Sequence, residues 1–245
     1  MDANVWLPAI TAALAIAFFV LLVDQWRMRR RAFQAIWSLG ILFFGVAVAC
    51  EAVAAAAGWN EPIYLLWYLT GAVWTAGWLG LGNAFLLGRT RFGFAFALCL
   101  FFAGLFTFLT ARAEPEIYES ASTTAMLYFL VALVLALAVS VETYFQNWRW
   151  PWMAFVGVAG ATVLSIVLVL MADIAEPGYA LDPETGVPTA ELLPPELRLL
   201  TPFMNVTGAF ALILGAMFST YVFMPKKRVL AYNIDPNQPG DQFLF

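Results

Sequence analysis

Seven stretches of mainly apolar residues, each close to or above the length a helix needs to cross a bilayer, constrain this chain more than any other feature. They cover residues 5–23, 33–57, 62–87, 92–111, 123–145, 151–172 and 200–224. An α-helix rises about 1.5 Å per residue, so about 20 apolar residues span a hydrocarbon core of about 30 Å. Inside that core every backbone N–H and C=O has to be satisfied within the segment, which leaves helix as the conformation open to a lone apolar run. The expected fold class is all-α, a seven-transmembrane helix bundle over residues 1–225, with a long outer loop at 174–199 and a cytoplasmic tail at 226–245. Composition agrees: 11% of the residues are charged, where a soluble domain carries about a quarter.

Charge sets the orientation. The segment "MDANVW" has no positive region ahead of the first apolar run, and the basic cluster "RMRRR" follows that run. This is the pattern of an uncleaved anchor with its N-terminus outside rather than of a signal peptide. Threading the seven spans from that start puts ten basic residues and four acids on the cytoplasmic side, and two basic residues and eleven acids outside. Basic residues in short loops stay cytoplasmic, so this sorting supports an odd number of spans, N-terminus outside and C-terminus cytoplasmic. Trp59, Tyr64, Trp148, Trp150 and Trp152 fall at span ends, where aromatic belts are expected. In the outer loop "DPETG" predicts a small hairpin or lid, and "PPELRLL" predicts a short interfacial helix leading into the last span.

The chain has no histidine, which excludes bis-histidine haem, histidine metal sites and the usual histidine general base. Cys50 and Cys99 lie in separate apolar runs without metal or redox spacing and read as small packing residues. No nucleophile–base pair, metal cluster or glycine-rich phosphate loop is visible, so neither catalysis nor a bound cofactor is expected. With a net charge of −4, nucleic acid is not an expected partner.

One acid stands out. "VAVACEAVAAAAGW", residues 46–59, places Glu51 about seven residues, or about 10 Å, below the outer end of the second span. Gly40, Ala47, Glu51, Ala55 and Gly58 share roughly one stripe of that helix, and stripes of small residues mark helix–helix contacts in membranes. Thr70, Thr107, Ser165, Asn205 and Thr207 fall at similar depth, suggesting a polar layer around the acid. No basic residue lies in the hydrocarbon to pair with it, so Glu51 is expected uncharged, donating a hydrogen bond to Thr70 or Asn205. Three roles remain open: an interhelical hydrogen bond that fixes packing, the binding or proton-coupling group of an outward-facing cavity, or an enzyme's acid.

The third span carries Trp67, Gly71, Trp74, Trp78, Gly82 and Phe85 at spacings of three and four. Such a stripe reads first as packing. Its functional alternative is a cleft in which glycines leave room between indoles for a flat or cationic molecule. Nearer the cytoplasmic side Asn83 and Glu142 form a second polar group, with Arg149 and Arg89 near enough for a solvated ion pair.

The segments "WYLTGAVWTAGWLGLGNAFLLG" and "LTPFMNVTGAFALILGAMFSTYVFMPKKR" resemble those of uncharacterised multi-pass bacterial membrane proteins, a likeness that implies a bacterial cytoplasmic membrane and no particular activity. The seven-helix plan is also similar to that of microbial rhodopsins. The seventh span has no lysine for a retinal Schiff base, so that similarity implies topology alone. The expected function is binding or transport of a small or lipid-like ligand in an outward-facing cavity lined by Glu51, Trp67, Thr70, Trp74, Thr107, Ser165, Asn205 and Thr207. The alternative is a non-catalytic accessory subunit that packs against other membrane proteins. The expected partners are the lipid bilayer and either that ligand or those subunits.

Overall fold

The computed structural model describes residues 3–171, 180–181, 188–190 and 193–223. Most of the 174–199 loop, the "DPETG" turn and the whole 226–245 tail lie outside the described residues. Within them the chain is almost entirely helical: α1 (Ala3–Arg29), α2 (Ala32–Ala57), α3 (Glu61–Trp67), a π-helical segment (Tyr68–Trp74), α4 (Thr75–Leu86), α5 (Phe92–Ala113), α6 (Pro115–Tyr144), α7 (Trp150–Met171) and α8 (Pro195–Phe223). Six of them, α1, α2, α5, α6, α7 and α8, are long and apolar enough to cross a membrane. This is the pattern of a multi-pass membrane protein. The third apolar stretch folds as an unbroken helical run, α3–π–α4, but the π-helical segment divides it into pieces each too short to count as a spanning α-helix.

Local chemistry sets the boundaries. Gly58 ends α2 at φ +87°, its N–H bonding to the Ala54 carbonyl, a backbone region that costs glycine nothing. It therefore caps the helix instead of extending the packing stripe. Asn60 restarts the chain by accepting the Ile63 N–H on its side-chain oxygen at 3.0 Å, with Pro62 in the first turn, a standard N-cap. Pro115 opens α6 with Glu114 alone between it and the end of α5 at Ala113. No separate interfacial helix precedes the last span: α8 runs from Pro195 to Phe223 with Pro202 inside it. Ala180–Leu181 pairs antiparallel with Pro188–Thr189 as a two-stranded ladder.

The helical runs alternate in direction. At one end the start of the π-helical segment meets the start of α8, where the Tyr68 hydroxyl is 2.6 Å from Thr201 Oγ1, and Arg198 forms an ion pair of 2.9 Å with Glu114 at the α5–α6 corner. At the other end the starts of α5 and α7 meet the end of α4 and the last turns of α8, through Phe92, Trp150 and Phe218. Trp150 is fully buried and donates its indole N–H to the Gly88 carbonyl at 3.0 Å. Tyr64 is buried too, with its hydroxyl on the Thr189 carbonyl. These two rings are core residues rather than belt residues, whereas Trp148 and Trp152 are exposed.

Small residues bring the central helices together. A Cβ on Gly80 of α4 would lie 2.7 Å from Gly208 Cα of α8, and one on Gly208 would collide with the Ala76 carbonyl. Without a hydrophobic drive between helices in lipid, this close backbone approach supplies the dispersion contacts that hold them. Around that centre α5 packs on α6 and α8, and α1 packs on α2. The outer faces are apolar: Leu14, Val156, Leu170 and Met171 are all more than half exposed.

Candidate functional site

Glu51 is half-buried on α2, facing the helical run that follows. Its Oε1 accepts the indole N–H of Trp67 at 2.8 Å. Either protonation form of a carboxyl has lone pairs to accept such a bond. The Trp67 ring is in turn met edge-on by Trp59, with centroids 5.5 Å apart. No other hydrogen bond reaches the Glu51 carboxyl among the described residues. No bond joins it to the acceptors expected for its proton: the Thr70 hydroxyl bonds to the Leu66 carbonyl at 2.6 Å in its own helix, and Asn205, half-buried on α8, makes no side-chain bond to it.

Immediately after Trp67 the helix widens. From Tyr68 to Trp74 it takes the π form, and the Thr70 carbonyl receives both the backbone N–H and the hydroxyl of Thr75, the latter at 2.7 Å. A bond from residue i+5 replaces the usual i+4 bond, and the threonine hydroxyl adds a second donor at the point of strain. Two further indoles, one ending the segment and one in α4, reach α7. Trp74 donates to Ser165 Oγ at 2.8 Å and Trp78 to Thr162 Oγ1 at 3.0 Å. Both hydroxyls pass their own protons to helix carbonyls, Ser165 to Thr162 O and Thr162 to Val158 O. Three indoles of one helical run thus spend their N–H groups on two neighbouring helices.

The rings are packed as well. Phe43 meets Trp74 and Trp78 edge-on at 5.0 and 6.0 Å, and Phe155 meets Trp78 at 5.9 Å. The glycines of the stripe are filled against neighbours instead of opening a slot between indoles. A Cβ on Gly71 would lie 2.9 Å from Ala47 Cβ, and one on Gly82 would strike the Trp37 indole.

Among the expected site residues, then, hydrogen bonds join Glu51 to Trp67 and Trp74 to Ser165. Thr107 on α5 and Thr207 on α8 are buried with hydroxyl oxygens that have no partner among the described residues. The second polar group is likewise not one cluster. Asn83 donates its amide to the Ala211 and Leu212 carbonyls of α8 at 3.1 and 3.4 Å. Glu142 Oε2 is buried without a partner, and Arg149 is exposed. The single ion pair among the described residues is Arg198–Glu114, at the other end of the bundle.

Sequence reasoning passed over Thr162, Tyr68, Thr201 and the π-helical segment. The spacing of Thr162 and Ser165 on one helix face was visible; that two indoles would reach them was not. Cys50 and Cys99 are buried free thiols, in keeping with packing roles. Comparison with protein families, with curated proteins and with solved structures finds no match for this chain.

Proposed function

We propose that this is a seven-span protein of a bacterial cytoplasmic membrane, N-terminus outside, that binds or transports a small or lipid-like ligand whose polar head engages the Glu51 carboxyl. Support for the seventh span comes from the unbroken helical run of α3, the π-helical segment and α4, which follows α2 and precedes α5 in the chain. Support for the orientation comes from the ends of the helices. Arg27, Arg29, Arg30, Arg31, Arg89, Arg91 and Arg149 lie at one end with Asp24 and Glu142, and Glu61, Glu114, Glu119 and Glu196 at the other with Arg112 and Arg198, so the basic excess is at the first end.

The observation that carries the ligand reading is the Glu51–Trp67 bond at the mouth of the π-helical segment. An interhelical hydrogen bond alone would serve packing. Glu51 is only half-buried, however, and keeps an oxygen without a protein donor, while the adjoining helix wall is held in a widened form that recurs at functional sites. An intramembrane acid with unused bonding capacity is the group a ligand hydroxyl or amine would seek. Trp59 and Trp67 offer it an aromatic wall. The test is to purify the protein and its Glu51→Gln variant from membranes of the expressing bacterium and compare the co-eluting small molecules by mass spectrometry. A species held by the parent and lost from an equally stable variant supports the reading; identical profiles overturn it.

A second reading, an accessory subunit, is favoured by one specific feature. An apolar groove of about 300 Å³ between α6 and α7 is lined by Leu127, Val131, Val156, Gly157, Gly160 and Leu164, and a Cβ on Gly160 would touch nothing. Small residues left uncovered in an apolar groove suit a partner helix. Crosslinking from a cysteine placed at Gly160 in native membranes distinguishes a protein neighbour from lipid.

A further inference from the structure

Another cavity lies away from Glu51, at the basic end of the bundle. It is a cleft of about 820 Å³ between the start of α2, the α4–α5 turn and the start of α7. We propose that this cleft is a binding site for the headgroup phosphate of an anionic phospholipid, held by Arg31 and Arg89 with the glycerol and chains directed along Phe33, Phe85, Trp148 and Trp152.

The lining has the two-part chemistry of such a molecule. Arg31 and Arg89 are both exposed on the cleft, and neither has an acidic partner among the described residues, where the single ion pair is Arg198–Glu114. Their neighbour Arg30 is different, stacked on Trp26 at 5.1 Å. A guanidinium presents a planar fork of N–H donors suited to phosphate oxygens, and two of them from separate elements can close on one group. Arg31 is also the N-cap of α2, and no side chain caps that helix. Its first-turn N–H groups, at Ala32 and Phe33 on the cleft, therefore remain to add a partial positive charge.

The remaining walls are aromatic and apolar. Phe85 and Trp152 meet edge-on at 5.0 Å, and Trp148 and Trp152 are 43% and 58% exposed. Indoles at this level, where apolar helices end, suit the glycerol region of a bilayer. A soluble phosphate would use the arginines and leave this surface wet. An anionic lipid uses both, which is why a lipid rather than a free phosphate is the assigned occupant.

Backbone geometry provides a separate indication. Arg30, Gln146 and Trp148 are the described non-glycine residues with positive φ, at +52°, +56° and +47°. All three lie in the two loops that frame this cleft. Left-handed backbone at non-glycine residues is costly and tends to collect where a site must be shaped. Here it holds the Trp148 ring on the cleft and sets the step from α1 into Arg31.

The experiment uses the full chain in detergent, with native mass spectrometry and thermal stability read against phosphatidylglycerol, phosphatidylcholine and glycerol 3-phosphate. Phosphatidylglycerol is expected to bind and to raise the unfolding midpoint. The Arg31→Gln/Arg89→Gln variant is expected to bind it at least tenfold more weakly, while an Arg91→Gln/Arg149→Gln variant, equal in charge but outside the cleft, binds as the parent does. Equal loss in both variants, or retention in the first, overturns the proposal. Two arms on the unaltered protein need no substitution to fold: phosphatidylcholine binding as tightly as phosphatidylglycerol removes the anionic requirement, and glycerol 3-phosphate matching the lipid assigns the cleft to a soluble phosphate. Either result overturns the lipid assignment. None of these outcomes bears on Glu51, so failure here leaves the reading of that site standing.

Discussion

Gly208 of α8 lies against the Ala76 carbonyl and Gly80 of α4, backbone on backbone, with no space for a Cβ on either glycine. Replacing Gly208 with alanine has to push the two helices apart, and with them Asn83 and the α8 carbonyls that it bonds. Overpacking of this kind costs about 1–3 kcal/mol. The expected result is a clearly lower unfolding midpoint in detergent for Gly208→Ala. Gly160→Ala, at a position with open space around it, is expected to leave the midpoint unchanged. Circular dichroism melts of the two variants beside the parent decide the matter, and equal midpoints would remove the α4–α8 contact from its central place.

How much of this was legible beforehand depends on the kind of interaction. Apolar length marked every helical run, because a bilayer leaves so few conformations open. Ala72, Ala76 and Gly80 in the third apolar stretch and Ala211, Gly215 and Ser219 in the seventh recur at four-residue spacing, the mark of a helix contact in lipid, and Gly80 and Ala211 do meet in the structure. Gly208, which packs backbone on backbone against Ala76 and Gly80, sits three residues before Ala211 on the same face and so falls outside the strict four-residue spacing. Depth counting grouped Glu51 with Thr70, Thr107, Ser165, Asn205 and Thr207, and spacing put Trp67 and Trp74 on one stripe, but neither could show which donor would turn to which acceptor. Thr70 was expected to bond across to Glu51, yet a helical threonine can satisfy its hydroxyl on its own helix, as Thr70 does on Leu66. The π-helical segment was invisible in periodicity: one extra residue in a turn shifts an apolar pattern by less than its ordinary scatter.

The Trp67–Glu51 bond is expected to be modest in energy. Interhelical hydrogen bonds in membranes are worth about 0.6 kcal/mol on average, because the separated helices also find partners. Trp67→Phe keeps the ring against Trp59 and removes the donor; Glu51→Gln keeps the shape and alters the acceptor. A double-mutant cycle in an SDS-denaturation titration should therefore give a coupling of about 0.5–2 kcal/mol. A coupling indistinguishable from zero would mean that the two side chains do not act together in the bilayer-like state.

Thr107 and Thr207 present the opposite case, buried hydroxyls with no partner among the described residues. An unsatisfied buried donor or acceptor costs about 1–3 kcal/mol, and valine has nearly the same shape without that cost. Thr107→Val and Thr207→Val are each expected to hold or raise the unfolding midpoint. A substantial fall at either position would reveal a partner for the hydroxyl in the membrane-embedded protein, and a ligand at the level of the polar layer would be the first to look for.

The π-helical segment offers the sharpest separation of stability from function. A π turn accommodates one residue more than an α turn while leaving the flanking faces where they were. Removing one residue from it is expected to restore a regular helix in which Trp67 still reaches Glu51 and Trp74 still reaches Ser165. Ala72 is the residue to delete, since Gly71 holds close contact with Ala47 and Val73 is fully buried. If the widened turn exists for binding, the Ala72 deletion keeps or increases thermal stability and loses the species that co-elutes with the parent. If it exists for packing, the deletion lowers the midpoint and the two indole bonds fail together. Melting curves and mass spectrometry on the same preparation separate these results, because only the first leaves a well-folded protein with an empty site.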